Sequence, residues 1–192
     1  MLKRLCFATH NPNKLAEIKK ALEGHFEIVG LDDIGCTEEI AETGTTLREN
    51  AMIKARYVKE NYGIDCFSDD TGLEIVALNN EPGVYSARYA GEPVDAQKNI
   101  DKVLKNLSDH ENRVARFVTV IILLQNEEEH VFEGEVQGTI TRKRIGGDGF
   151  GYDPIFQPNG FSETFAQMSM DEKNKISHRG RAVQKLLQHL KT

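Results

Sequence analysis

Arg116-Phe117-Val118-Thr119-Val120-Ile121-Ile122-Leu123-Leu124-Gln125 decides the fold. Its β-branched and apolar residues read as a strand, and His130 to Glu135 returns beside it as a hairpin. Outward from this pair, Leu5 to Ala8, Phe26 to Leu31, Ile64 to Phe67 and Leu73 to Leu78 are expected strands. Asn11-Pro12 starts a helix with Leu15, Ile18 and Leu22 on one face, closed by Gly24. Thr45-Thr46 precedes a longer one through Leu47, Ala51, Ala55, Val58 and Tyr62, stopped by Gly63. Asp95 caps a third, with Ile100, Val103, Leu104 and Leu107 on one side. Beyond Asp171 the pattern turns helical, ending on an amphipathic stretch with Val183, Leu186, Leu187 and Leu190. Interleaved helices and strands with a hairpin at the centre predict an α/β protein with a mixed sheet, not a purely parallel doubly wound one. The 192 residues contain no repeat or Pro/Ser-rich linker, so residues 1–192 read as a single domain.

Charge and cysteine usage narrow the function. With 24 Lys+Arg against 30 Asp+Glu the net charge is −6, which argues against general binding to a nucleic-acid backbone but leaves room for a local basic pocket. Cys6, Cys36 and Cys66 are odd in number, scattered and without a CxxC pair, so neither a disulfide framework nor a structural zinc site is expected. The run Val118 to Leu124 is too short to span a bilayer, and the N-terminus lacks a signal-length apolar region. A cytoplasmic protein with no membrane partner is expected.

Four segments could carry chemistry. Thr9-His10-Asn11-Pro12-Asn13-Lys14 lies where a strand gives way to a helix, whose N–H groups and dipole suit a phosphate; plain helix capping explains the same residues. Asp69-Asp70 is expected to leave a strand at Thr71-Gly72, one carboxylate binding Mg²⁺ or taking a proton from water and the other bracing the turn; a solvated acidic turn is the alternative. Gly146-Gly147-Asp148-Gly149-Phe150-Gly151-Tyr152-Asp153 sets aromatics among glycines, giving close backbone approach and a stacking surface from Phe150 and Tyr152, with Asp153 as an acceptor. Lys173, Lys175, His178, Arg179 and Arg181 concentrate positive charge near a helix start, which suits either an anion or a solvated basic face.

Together these segments resemble the inosine triphosphate pyrophosphatase family, the non-standard purine NTP pyrophosphatases. The matching pieces are Ala8-Thr9-His10-Asn11 with Lys14, Glu42-Thr43-Gly44 with Glu49-Asn50-Ala51 and Lys54-Ala55, and Ser68-Asp69-Asp70-Thr71-Gly72-Leu73. Pro82-Gly83-Val84-Tyr85-Ser86-Ala87-Arg88-Tyr89, Gly149-Phe150-Gly151-Tyr152-Asp153-Pro154 and Lys173 with Ile176-Ser177-His178-Arg179-Gly180 follow in family order. The resemblance implies an elongated mixed sheet flanked by helices, with two lobes and a central cleft, usually in a homodimer. It implies Mg²⁺-dependent hydrolysis of ITP, dITP and XTP to the monophosphate and pyrophosphate. Carried over by motif, Asp70 would be the proton acceptor and a metal ligand, with Glu42 as the second ligand and Glu39 behind it. Thr9, His10, Asn11 and Lys14 would meet the phosphates, and Thr71, Phe150, Gly151, Tyr152, Asp153, Lys173, His178 and Arg179 would contact substrate. His10 stands where many members have Gly, and Thr71 where Ser is common.

Donor chemistry makes base choice intelligible. Arginine only donates, so Arg179, with His178, would favour the O6 acceptor of hypoxanthine or xanthine and leave adenine's amino group unmatched. A Maf-like pyrophosphatase acting on modified pyrimidine nucleotides and a non-catalytic nucleotide or RNA-binding module are the competing readings.

Overall fold

The computed structural model describes residues 2–191. Seven strands form one sheet: β1 (Lys3–Phe7), β2 (Phe26–Val29), β3 (Cys66–Ile75), β4 (Glu81–Gly83), β5 (Val114–Gln125), β6 (Glu128–Ile140) and β7 (Phe156–Pro158). The order is β2-β1-β3-β5-β6-β7, with β4 paired to β3. Helices α1 (Pro12–Ala21), α2 (Leu47–Tyr62), α3 (Ala96–Asn106), α4 (Met170–Ile176) and α5 (His178–Leu190) complete the α/β architecture. The sheet is mixed, as expected: β1 runs parallel to β2 and β3, whereas β3/β4 and β6/β7 are antiparallel. The central hairpin turns on Asn126 and Glu127, both with positive φ (48° and 64°), the backbone that a two-residue type I′ connection requires.

Backbone contacts divide the chain into two compact units. The first comprises residues up to Asp70, Thr119–Gly134 and Arg179 onward; the second comprises Thr71–Val118 and Glu135–His178. Each has its own core.

In the first unit the period of two along the strands sorts side chains onto two faces. Leu5, Phe7, Phe67, Ile121 and Leu123 pack with Ile18 and Leu22 of the α1 segment and with Ala182, Val183 and Leu186 of α5. Cys6, Ala8, Cys66, Val120 and Ile122 face the other way, onto Ala51, Ala55 and Val58 of α2. Phe7 and Phe67 are register partners on β1 and β3, and their rings stack at 4.7 Å. In the second unit, Leu73, Ile75, Ile100, Val103, Phe117, Val136, Ile140, Phe156 and Phe165 form a single cluster.

The structure corrects the expected strand ends. Asp69 and Asp70 do not leave a strand; β3 runs unbroken through Ser68-Asp69-Asp70-Thr71-Gly72 to Ile75, and Val76–Leu78 is a 3₁₀ turn. Thr71-Gly72 has turn-like composition, but pairing on both sides of the segment holds it extended. The second expected strand stops at Val29, and the returning arm of the hairpin extends to Ile140. The helical stretch after Asp171 is two helices, the first opened by a Ser169–Glu172 capping box.

Candidate active site

Four successive residues of β3 alternate between the two faces of the first unit. Phe67 packs toward α1 and α5, and the Ser68 hydroxyl donates to the Ala51 carbonyl of α2. Asp69 returns to the first face: its Oδ1 accepts from Lys14 Nζ at 2.9 Å and its Oδ2 from Arg179 Nε at 3.1 Å. Asp70 returns to the second, where Asn50 Nδ2 donates to its Oδ2 at 3.1 Å. Alternation alone gives two adjacent carboxylates different surroundings.

Those surroundings set their proton affinities in opposite directions. Burial acts to raise Asp69, but Lys14, Arg179 and Lys54 outweigh it and hold the carboxyl well below the usual range. Burial also raises Asp70, and there it prevails: repulsion from Glu42 and Asp69 adds to it, against attraction by Lys54 and Lys14. Asp70 is therefore a buried carboxylate with more than ordinary affinity for a proton, as a general base requires.

The surrounding cations are themselves positioned by helices. Asn11 caps α1, its Oδ1 accepting from the N–H groups of Asn13 and Lys14 at 3.0 and 3.1 Å, and Thr9 Oγ1 accepts from the Asn11 N–H at 3.1 Å. Burial lowers the Lys14 pKa, and the nearby cations Lys54 and Arg179 lower it further, against attraction by Asp69 and Asp70. Another anion beside Lys14 would stabilise its charge. On α2, Asn50 and Lys54 share a face four residues apart. Lys54 Nζ donates to Glu42, and although burial opposes its charge, Asp70, Glu42 and Asp69 together raise its pKa. His10 is bonded to the Glu38 carbonyl at 3.0 Å and lies 3.3 Å from the Asp32 carboxylate.

The second unit holds another constellation. Lys173 Nζ donates to Asp153 Oδ2 at 2.6 Å, and the Phe150 N–H donates to the same oxygen at 2.8 Å. The Lys173 ammonium sits over the Phe150 ring at 4.7 Å. A Cβ on Gly149 would fall 2.4 Å from Asp153 Oδ2, so this carboxylate requires glycine there. Phe150 is half-buried, but Tyr152 belongs to the core and donates its hydroxyl to the Ser86 carbonyl at 2.7 Å; of the two aromatics, Phe150 presents the accessible ring. The His178 ring stacks on Phe117 at 4.5 Å and 15°. Gly151 and Thr71 are half-buried.

The expected basic patch is corrected as well. Lys173 and Arg179 are 4% and 2% exposed and carry carboxylate partners, because a cation removed from water needs a counter-charge. Lys175 and Arg181 stay on the surface. Glu17, Asn50 and Lys54 belong to the polar cluster although the sequence alone assigns them no chemical role. Their signal was present in helical spacing: Lys14 and Glu17 are three apart, and Asn50 and Lys54 four apart.

Among the described residues no group of three or more His, Cys, Asp or Glu forms a ready metal cage. Asp70 and Glu42 both offer carboxylate oxygens, the donor type a hard divalent cation takes, and each is engaged here by a side-chain donor, Asn50 and Lys54 respectively. Glu39, the expected alternative to Glu42, lies exposed. The thiols of Cys6 and Cys66 are buried and pushed up to about 12, so they offer no thiolate to a softer metal.

Residues 5–189 match the sequence profile of the Ham1 family. A dITP/XTP pyrophosphatase of Christiangramia forsetii is 53% identical over 187 residues, covering 97% of this chain and 98% of that protein. The structure of a HAM1 protein from Coxiella burnetii superposes with a TM-score of 0.89 at 40% identity, covering 100% of this chain and 99% of that one. A nucleoside-triphosphatase / dITP/XTP pyrophosphatase from Mycobacterium abscessus gives a TM-score of 0.75 at 45% identity, covering 96% and 98% of the two chains.

Proposed function

This chain belongs to the Ham1 family, and on that premise we propose that it hydrolyses ITP, dITP and XTP to the monophosphate and pyrophosphate. The observation that carries the reading is the division of labour on β3. Two cations hold Asp69, while Asp70, on the opposite face, accepts from the Asn50 amide, whose oxygen in turn holds the loop that follows Glu42.

Residues 1–192 act as one catalytic domain in this reading. A nucleoside triphosphate carries several negative charges that repel a nucleophile, and the Lys14 ammonium with the positive end of the α1 dipole offsets them. Thr9, His10 and Asn11 complete the phosphate-binding turn. The Asp70 carboxylate orients a water and accepts its proton as the water oxygen bonds to the α-phosphorus; the bond to the bridging oxygen breaks and pyrophosphate leaves. Asp70 and Glu42 would hold Mg²⁺, which when bound neutralises charge on the phosphates. Thr71, Phe150, Gly151, Tyr152, Asp153, Lys173, His178 and Arg179 are assigned to substrate. Within that set the Phe150 ring offers a stacking face, and Asp153 and Tyr152 hold its loop.

The substrate is a free nucleotide; the net charge of −6 disfavours nucleic acid. Among the described residues no helix is long and apolar enough to cross a membrane. A homodimer acting in the cytoplasm completes the proposal. A panel of ITP, XTP, dITP, ATP, GTP and modified pyrimidine triphosphates, scored for pyrophosphate with and without EDTA, tests it. Preference for a modified pyrimidine nucleotide overturns the substrate class, and absence of pyrophosphate release overturns the enzyme.

A further inference from the structure

Asp69 is 1% exposed and takes no part in the chemistry described above. Its two oxygens each receive a different cation: Lys14 Nζ at 2.9 Å on Oδ1 and Arg179 Nε at 3.1 Å on Oδ2. Arg179 Nη1 in turn donates to Glu17. Lys14 and Glu17 lie one turn apart on α1, so the circuit closes on that helix. Two cations and two carboxylates from α1, β3 and α5 form a ring of zero formal charge.

Such a ring reduces raw attraction for a polyphosphate, because Asp69 cancels part of the Lys14 charge. What it supplies is order. A lysine side chain loses rotamer freedom when it is held for a ligand, and a carboxylate that holds it beforehand removes that loss from the binding step. The Asn11 cap adds to this, since Lys14 and the bonded N–H groups of the first turn move as one piece.

We propose that Asp69 is a positioning residue: through Lys14 it fixes the phosphate-binding turn of α1, and it neither transfers a proton nor touches the nucleotide. This rests on the phosphate role given to Lys14 above. Asp69→Asn keeps the shape and removes the charge, and Asp69→Ser shortens the arm.

Steady-state kinetics on ITP, with binding of inorganic pyrophosphate and of inosine by calorimetry, tests the assignment in the full-length protein. For Asp69→Asn, KM for ITP rises about tenfold or more and pyrophosphate binding weakens in parallel, while kcat and inosine affinity stay within about threefold. In a Lys14→Ala background the same substitution adds less than about twofold, because the residue through which it acts is gone. Tighter pyrophosphate binding would mean that Asp69 only neutralises charge, and it overturns the proposal. Equal losses in kcat and inosine binding, full additivity with Lys14→Ala, or failure of both variants to fold by circular dichroism also overturn it. Wild-type protein inert toward every triphosphate removes the premise instead; active wild type with an unchanged Asp69→Asn removes this inference alone.

Discussion

Asn50 Nδ2 lies 3.1 Å from Asp70 Oδ2, and the same buried amide accepts the Gly44 N–H on its Oδ1 at 2.8 Å. The second bond fixes which end of the amide faces Asp70. A Cβ on Gly44 would come within 2.7 Å of Asn50 Oδ1 and 2.6 Å of Glu49 Cβ, so glycine lets the loop reach the amide. The loop carrying Glu42, the helix carrying Asn50 and the strand carrying Asp70 are thereby locked together.

Asn50→Ala should therefore cost turnover more than binding. Loss of the donor to a buried carboxylate is worth about 1–3 kcal/mol, so kcat is expected to fall roughly 10- to 100-fold with KM for ITP nearly unchanged. Steady-state kinetics with a melting curve checks this, and a variant with wild-type kcat contradicts it.

Glu42→Gln should raise the Mg²⁺ concentration that gives half-maximal rate, by about tenfold or more, while saturating Mg²⁺ restores most activity. EDTA should abolish turnover in the wild type and excess Mg²⁺ should recover it. A Mg²⁺ titration of rate reads both; an unshifted midpoint in Glu42→Gln removes Glu42 as a ligand.

How much of this was legible in the chain depends on whether the contact is local. The hairpin, the α1 cap and the α2 face follow from periods of two and three-to-four, so Asn126-Glu127 apart, they need only their neighbours. Asp70 stood out because two acids followed an apolar strand. Strand alternation already set its role apart from that of Asp69; what holds Asp69 was not legible, since it meets Lys14 across 55 residues and Arg179 across 110, and Arg179 meets Glu17 across 162. The same non-locality hid why Arg179 and Lys173 are buried; in sequence they read as part of a basic run, and only the fold shows their carboxylate partners.

Arg179→Ala should destabilise the protein strongly, whatever it does to selectivity. It leaves Glu17 and Asp69 buried without their shared guanidinium, a loss of about 3–5 kcal/mol for one partner of a buried ion pair. Chemical denaturation with urea measures it. A change below about 1 kcal/mol would show that water or Lys14 compensates the carboxylates.

The buried thiols predict alkaline behaviour. Cys6 and Cys66 are pushed from 9.0 to about 12, mainly by burial, so the folded state keeps protons that the unfolded chain gives up. Their contribution to stability is full below pH 9 and is lost as pH rises from 9 toward 12. Urea midpoints for the wild type should fall across that window, and Cys6→Ala should flatten the fall. Thiol titration with an aromatic disulfide at pH 8 should leave both cysteines unmodified until denaturant is added; prompt modification in the native protein contradicts their protected state.

The most direct test of the central claim compares wild type and Asp70→Asn for pyrophosphate release from ITP under saturating Mg²⁺, with nucleotide binding measured in parallel. The expected result is one pyrophosphate and one IMP per ITP in the wild type, and a loss of roughly 100-fold or more in Asp70→Asn with binding retained. Wild-type turnover in Asp70→Asn, or release of orthophosphate in place of pyrophosphate, would contradict it.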